Sequence, residues 1–184
     1  LHDVVEDSDV TTADIERGAG DKEYGTIAIP IAAATNAAHK NGVLSIAEYF
    51  LPRNPQYTEE WLQKDEYGNF PYADKLIEIM EFYGFDGYFI NQEEYIPSSY
   101  VPLFRDMIKW MVEQGLYIQW YDSIGDGGSI SYQNKFNDYN DGWLWNEEDG
   151  NVANSIFLNY WYGSTALKDS KAHAEALGLD PYDT

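Results

Sequence analysis

The sequence predicts an α/β protein, a (β/α)₈ TIM barrel present here only in part, and three observations carry that reading. Short apolar runs alternate with helical periodicity along the chain, with roughly 30 to 45 residues per repeat, as expected for parallel strands joined by crossover helices. Neither GxGxxG nor GxxxxGK[ST] occurs, so a doubly wound nucleotide fold loses its phosphate loop. Polar residues fall at the C-terminal ends of several strands, which is where barrels collect their chemistry. A complete barrel takes about 250 residues, and this chain has 184.

The elements follow in order. Leu1 to Gly25 is rich in Asp, Glu, Thr and Gly without periodicity, so residues 1–26 form a poorly defined N-terminal segment and 27–184 the partial barrel. An Ala-rich helix, Ile31 to Lys40, stops at Asn41-Gly42 and feeds the apolar strand Val43 to Tyr49. The next helix, Tyr72 to Tyr83, carries Leu76, Ile77, Met80 and Tyr83 at helical spacing and stops at Gly84 before a strand at Tyr88 to Asn91. A third helix, Tyr100 to Glu113, places Leu103, Met107, Trp110 and Met111 on one side and precedes strand Leu116 to Trp120. A strand at Ser155 to Leu158 and a helix at Thr165 to Ala176, ending before Gly178, complete the pattern. An open barrel of this kind should leave the strand nearest Val43 and the strand nearest Ser155 without outer neighbours.

Composition narrows the function. With 32 acidic against 11 basic residues and a net charge of -21, phosphate backbones and anionic membranes are repelled, so nucleic acid is excluded as a partner. No apolar run is long enough for a membrane span. Sixteen Tyr and six Trp suit the stacking of sugar rings, and equally an aromatic core. There is no cysteine, hence no disulfide, thiolate nucleophile or cysteine zinc site. Targeting information is absent or removed, since the chain starts at Leu1 with no signal-like segment. His2 and His173 offer no ligand pattern, His39 reads as structural, and no metal or cofactor is expected.

The candidate chemistry lies in Asp86-Gly-Tyr-Phe-Ile-Asn91-Gln-Glu93. If the strand continues that far, its period puts Asn91 and Glu93 on one side. One carboxyl in a suitable environment serves glycoside hydrolysis first as acid and then as base, and Asp86, Glu94 and Asp122 are candidate acidic neighbours for Glu93. An amide at the first position suits a substrate-assisted route, in which the sugar's own 2-acetamido oxygen attacks the anomeric carbon. The plainer alternative is a polar strand end bonded to a neighbouring loop. Glu48, Tyr121, Asp122 and Asn159 stand at comparable strand ends.

The run Gly84-Phe-Asp-Gly-Tyr-Phe-Ile-Asn-Gln-Glu93 resembles the signature of the glycoside hydrolase family 85 endo-β-N-acetylglucosaminidases. Further segments match in the same order: Asn36 to Val43, Phe70 to Lys75, Trp120 to Ser123, Phe157 to Asn159 and Asp180 to Asp183. The resemblance implies cleavage of the GlcNAc-β-1,4-GlcNAc core of an N-glycan or glycoprotein, retaining configuration through an oxazoline. It gives Asn91 the orienting role, Glu93 the acid/base role and Tyr121 a contact with the acetamido group. Glu48 and Asn159 become substrate-binding candidates. Tyr132 stands where family members often carry a gate Trp, which bears on transglycosylation. Trp161 is a candidate sugar-stacking wall, or else a core residue. The family's barrel has strands before Ile27 and after Asp183 that are missing here, so the chain reads as a fragment. A chitinase-like enzyme would need DxxDxDxE, which is lacking, while an inactive or non-catalytic glycan-binding fragment remains the alternative. A secreted or cell-surface bacterial enzyme is the favoured setting, with a cytosolic one open.

Overall fold

A computed structural model describes residues 25–51 and 58–182, so the segment 1–24, His2 within it, and Asp183 lie outside the described residues. The elements are β1 (Thr26–Ala28), α1 (Ala32–Lys40), β2 (Ile46–Phe50), α2 (Thr58–Trp61), α3 (Pro71–Tyr83), β3 (Gly87–Asn91), α4 (Val101–Glu113), β4 (Tyr117–Tyr121), β5 (Trp145–Asn146), β6 (Gly150–Asn151), β7 (Ser155–Phe157) and α5 (Ser164–Ala176). The main sheet runs β1-β2-β3-β4-β7, with β2, β3, β4 and β7 mutually parallel. This is part of a (β/α)₈ barrel.

Local chemistry sets the boundaries. Pro71 and Pro102 sit in the first turns of α3 and α4, where a missing N–H is harmless. Gly84 ends α3 in the left-handed region, at φ 73°, with its N–H on the Met80 carbonyl.

Strand alternation then divides the sheet into two faces. Ala47, Tyr49, Tyr88, Ile90, Ile118 and Trp120 are buried, and they share one core with Leu76 of α3 and Phe104, Met107, Ile108 and Met111 of α4. Trp120 stacks on Trp143, with centroids 4.0 Å apart and planes 12° apart, and Phe104 meets both rings edge-on. Each such aromatic pair adds about 0.5–1.5 kcal/mol beyond area burial. The opposite face carries Glu48, Phe89, Asn91 and Gln119, all only partly buried. Parallel register keeps these in phase, pairing Glu48 with Phe89, Phe89 with Gln119 and Gln119 with Ser155.

Two expectations are corrected. The strand after α1 begins at Ile46 rather than Val43, because Gly42 turns at φ 68° and the Val43 N–H is still bonded to the Ala38 carbonyl, leaving Val43 and Leu44 more than half exposed. Its outer edge is not bare either, since β1 pairs antiparallel with it, Thr26 facing Phe50 and Ala28 facing Glu48. Three residues without a periodic signature gave no warning of that strand. On the outer side of β7 no strand pairs among the described residues.

Gly87 opens β3 at φ 156°, and a Cβ there would collide with the Tyr117 carbonyl across the β3–β4 ladder. Backbone must shift to admit one. Gly87→Ala should therefore lower stability by about 3 kcal/mol or more, read as a shift of the urea midpoint at constant slope.

Candidate active site

Because the strands are parallel, their C-terminal ends bring Glu48, Asn91, Tyr121 and the segment after Phe157 to one end of the sheet. At the centre, Asn91 Nδ2 donates to Glu48 Oε1 at 2.8 Å. A carboxylate only accepts, so this bond turns the amide nitrogen toward Glu48 and the oxygen away from it. Asn91 Oδ1 is buried with no hydrogen-bond partner. An acceptor left in that state costs about 1–3 kcal/mol, which a ligand N–H would recover.

Gln92 points the other way, 2% exposed, with Nε2 on the Glu94 carbonyl at 2.6 Å and its own carbonyl receiving the Ser123 hydroxyl. These bonds pin the turn beyond β3. Glu93, half-buried beyond the end of β3, lies close enough to Tyr121 to raise the pKa of its hydroxyl.

The Tyr121 hydroxyl is pushed up to about 12, first by burial and then by Tyr132, Glu93, Tyr160 and Asp122 nearby. Tyr121 and Tyr132 have ring centroids 5.9 Å apart, and Phe89 and Phe157 flank Tyr121 at 5.7 and 6.0 Å. Asn91, hydrogen-bonded to Glu48 of β2, lies on the strand adjoining that of Tyr121, and Glu93, Tyr132 and Asn159 gather around Tyr121. Trp161 is 85% exposed, which rules out a core role, and Tyr160 and Tyr162 beside it are also exposed.

The loop after β4 is held by Asp122, whose carboxylate is buried and accepts from Gln133 N, Asn134 N, Asn140 Nδ2 and Asn159 N at 3.2, 2.6, 2.8 and 3.4 Å. Burial raises its pKa, and these donors oppose the rise. Asn134, Asn140 and Gln92 are the contributors that sequence reasoning missed. Their partners include Asp122, Ser123, Asn159 and Trp161, each 12 or more positions away, so no local signal marks them.

Asp86 is not an acidic neighbour of Glu93. It precedes β3, at the far end of the strand, where its Oδ2 accepts from Ser45 N at 2.6 Å and meets His39 Nε2 at 2.8 Å. Five strand residues at about 3.3 Å each separate it from the site. His39 is a structural partner there. His173 joins Asp141 through Nε2 at 2.8 Å and Asp138 through Nδ1 at 3.5 Å, a cluster of metal-ligating residue types whose ring nitrogens face different carboxylates.

Beneath the loop, Asp126 pairs with Arg105 at 2.9 Å. Burial nevertheless lifts its pKa from 3.8 to about 6, against the pull of Arg105 and with a further push from Asp141. A raised carboxyl binds its proton more tightly in the folded state, so its contribution to stability is complete below the unfolded value and lost as pH rises through the folded one. Stability should therefore fall from this group as pH rises from about 4 through about 6, and Asp126→Asn should flatten that part of a melting-temperature profile.

The model of Glycosyl hydrolase family 85 matches residues 20–184. A cytosolic endo-beta-N-acetylglucosaminidase of Danio rerio is 33% identical over 159 residues, covering 83% of this chain and 22% of the relative. The enzyme of the same name in Mus musculus is 32% identical over 167 residues, covering 86% and 22%. Among solved structures, the glycoside hydrolase domain of Endo-D from Streptococcus pneumoniae R6 superposes with a TM-score of 0.70 at 27% identity, over 82% of this chain and 26% of that one. The chain spans about a fifth of the length of the curated relatives it matches.

Proposed function

The chain belongs to glycosyl hydrolase family 85, and from that premise we propose that it carries the reacting centre of an endo-β-N-acetylglucosaminidase acting on the GlcNAc-β-1,4-GlcNAc core of N-glycans. The observation that carries this reading is the buried, unpartnered Oδ1 of Asn91, two residues before Glu93. An acceptor in that state matches the N–H of a 2-acetamido group.

In the proposed reaction the acetamido carbonyl oxygen forms a bond to the anomeric carbon while the bond to the leaving O4 breaks. Glu93 gives its proton to that oxygen. Asn91 draws on the acetamido N–H, which orients the group and stabilises the positive charge spreading onto nitrogen as the oxazoline forms. Glu48 is a positioning residue, holding the Asn91 amide in the required sense. Glu93, now a carboxylate, takes a proton from water as that water opens the oxazoline with net retention. A second sugar arriving in place of water would give transglycosylation, and Tyr132, partly exposed beside Tyr121, borders the acceptor side. Exposed Trp161 supplies a stacking face for the glycan.

No described helix is long and apolar enough to cross a membrane. The animal relatives are named cytosolic and the structural relative is bacterial; a chain without cysteine suits either a reducing compartment or export.

Release of high-mannose glycan from a glycoprotein tests the reading, with glycan binding but no release pointing to a non-catalytic module. Glu93→Gln should abolish release, by about 10³-fold or more, as the only proposed proton donor is gone. Asn91→Gln should also stop hydrolysis yet still transfer from a preformed sugar oxazoline, because its step has been bypassed. Equal loss of both activities in Asn91→Gln would count against substrate assistance.

A further inference from the structure

A chain of amides leads from the loop after β7 to the hydroxyl of Tyr121, and backbone groups set its polarity. The Trp161 N–H, which can only donate, meets Asn134 Oδ1 at 3.2 Å, and Asn134 Nδ2 meets the Tyr132 carbonyl, which can only accept, at 3.3 Å. The Asn134 amide is therefore held one way round. Its Oδ1 also receives Asn159 Nδ2 at 2.7 Å, which forces Asn159 to turn its own Oδ1 toward Tyr121. The Tyr121 hydroxyl donates to that oxygen at 2.8 Å. A phenol has one proton, and with it committed to Asn159 the oxygen meets a ligand as an acceptor.

The backbone at Asn134 fits this task. It has a φ of 56°, the one positive value at a non-glycine residue among those described, and asparagine tolerates that region better than most residues. Its N–H on Asp122 Oδ2 at 2.6 Å fixes the turn.

We propose that Asn134 and Asn159 are positioning residues that commit the Tyr121 hydroxyl proton to Asn159, so that the hydroxyl does not donate to the carbonyl oxygen of the substrate's 2-acetamido group. The inference rests on the hydrolase reading above. Its chemical consequence favours that reaction: a donor on the acetamido oxygen would tie up the lone pair that must attack, and the single acetamido N–H stays with Asn91 Oδ1.

Two variants separate the relay from simple loop support. Asn134→Gly keeps the left-handed backbone and deletes the amide, while Asn134→Asp keeps the oxygen that receives Trp161 N–H and Asn159. The Tyr121 hydroxyl proton, buried and hydrogen-bonded, is identified by proton NMR as the resonance lost in Tyr121→Phe. It should persist in Asn134→Asp and move upfield or vanish in Asn134→Gly. For glycan release, kcat should fall roughly tenfold in Asn134→Gly, about 1.4 kcal/mol of barrier, with KM within about twofold, and stay near the parent value in Asn134→Asp. An unmoved resonance or a parent-like kcat in Asn134→Gly would overturn the relay. The resonance needs no turnover, so the expected NMR pattern in a parent protein that releases no glycan would uphold the relay and refute the hydrolase reading.

Discussion

The in-phase parallel register of β2, β3, β4 and β7 is the constraint on which the rest depends. A strand shows its side chains alternately to two faces, and a slip of one residue exchanges them. Here the helix-side set, Tyr49, Tyr88, Ile90, Ile118 and Trp120, is apolar and buried, and those residues leave the other set no choice of face. Glu48, Asn91 and Tyr121 are on the site side because their neighbours in sequence are in the core. Slipping β3 by one residue would bury Asn91 against α3 and expose Ile90, losing about 1.5–3 kcal/mol for the isoleucine alone. The hydrophobic term thus positions the polar chemistry without any contribution from the polar groups themselves.

Hydrogen-bond direction does the finer work. Glu48 cannot donate, so Asn91 gives it the amide nitrogen and keeps its oxygen as an unpartnered acceptor. The Trp161 N–H cannot accept, so the Asn134 and Asn159 amides line up and Tyr121 must present a lone pair. In the proposed reaction Asn91 Oδ1 takes the one acetamido N–H, while Tyr121, its proton committed to Asn159, leaves the acetamido oxygen free to attack. An ester or a plain hydroxyl at the sugar's second carbon lacks the amide's conjugated N–H, and it cannot deliver charge to nitrogen as the ring closes. Asp122 underlies the arrangement by tying the loops after β4 and β7 together through one buried carboxylate.

Much of this was legible in the sequence, and the limits have physical causes. Helix stops at Gly42 and Gly84, the prolines in the first turns of α3 and α4, and the alternation in Tyr88 to Asn91 are local signals, and the elements they announce are present with ends shifted by a few residues. The strand period reached only as far as Asn91, where β3 ends, and so did not fix the direction of Glu93. Thr26–Ala28 was not legible, because three residues carry no period and their pairing with β2 is non-local. Nor was the loop network: Asn134 and Asn140 matter through partners 12 or more positions away or through a left-handed turn, and nothing about asparagine in a polar stretch announces either. The mistaken grouping of Asp86 with Glu93 has the same root, since closeness in sequence along a strand means opposite ends in space.

The central claim is that the substrate's own acetamido oxygen, and no protein carboxylate, is the nucleophile. Hydrolysis rates on a chitobiose-core substrate series in which the cleaved sugar's N-acetyl methyl carries successively more fluorine test it most directly, because fluorine withdraws electron density from that oxygen and barely changes its size. A steep fall in kcat across the series is the predicted result. Rates that ignore fluorination would contradict the account and assign the attack to a group on the protein or to water.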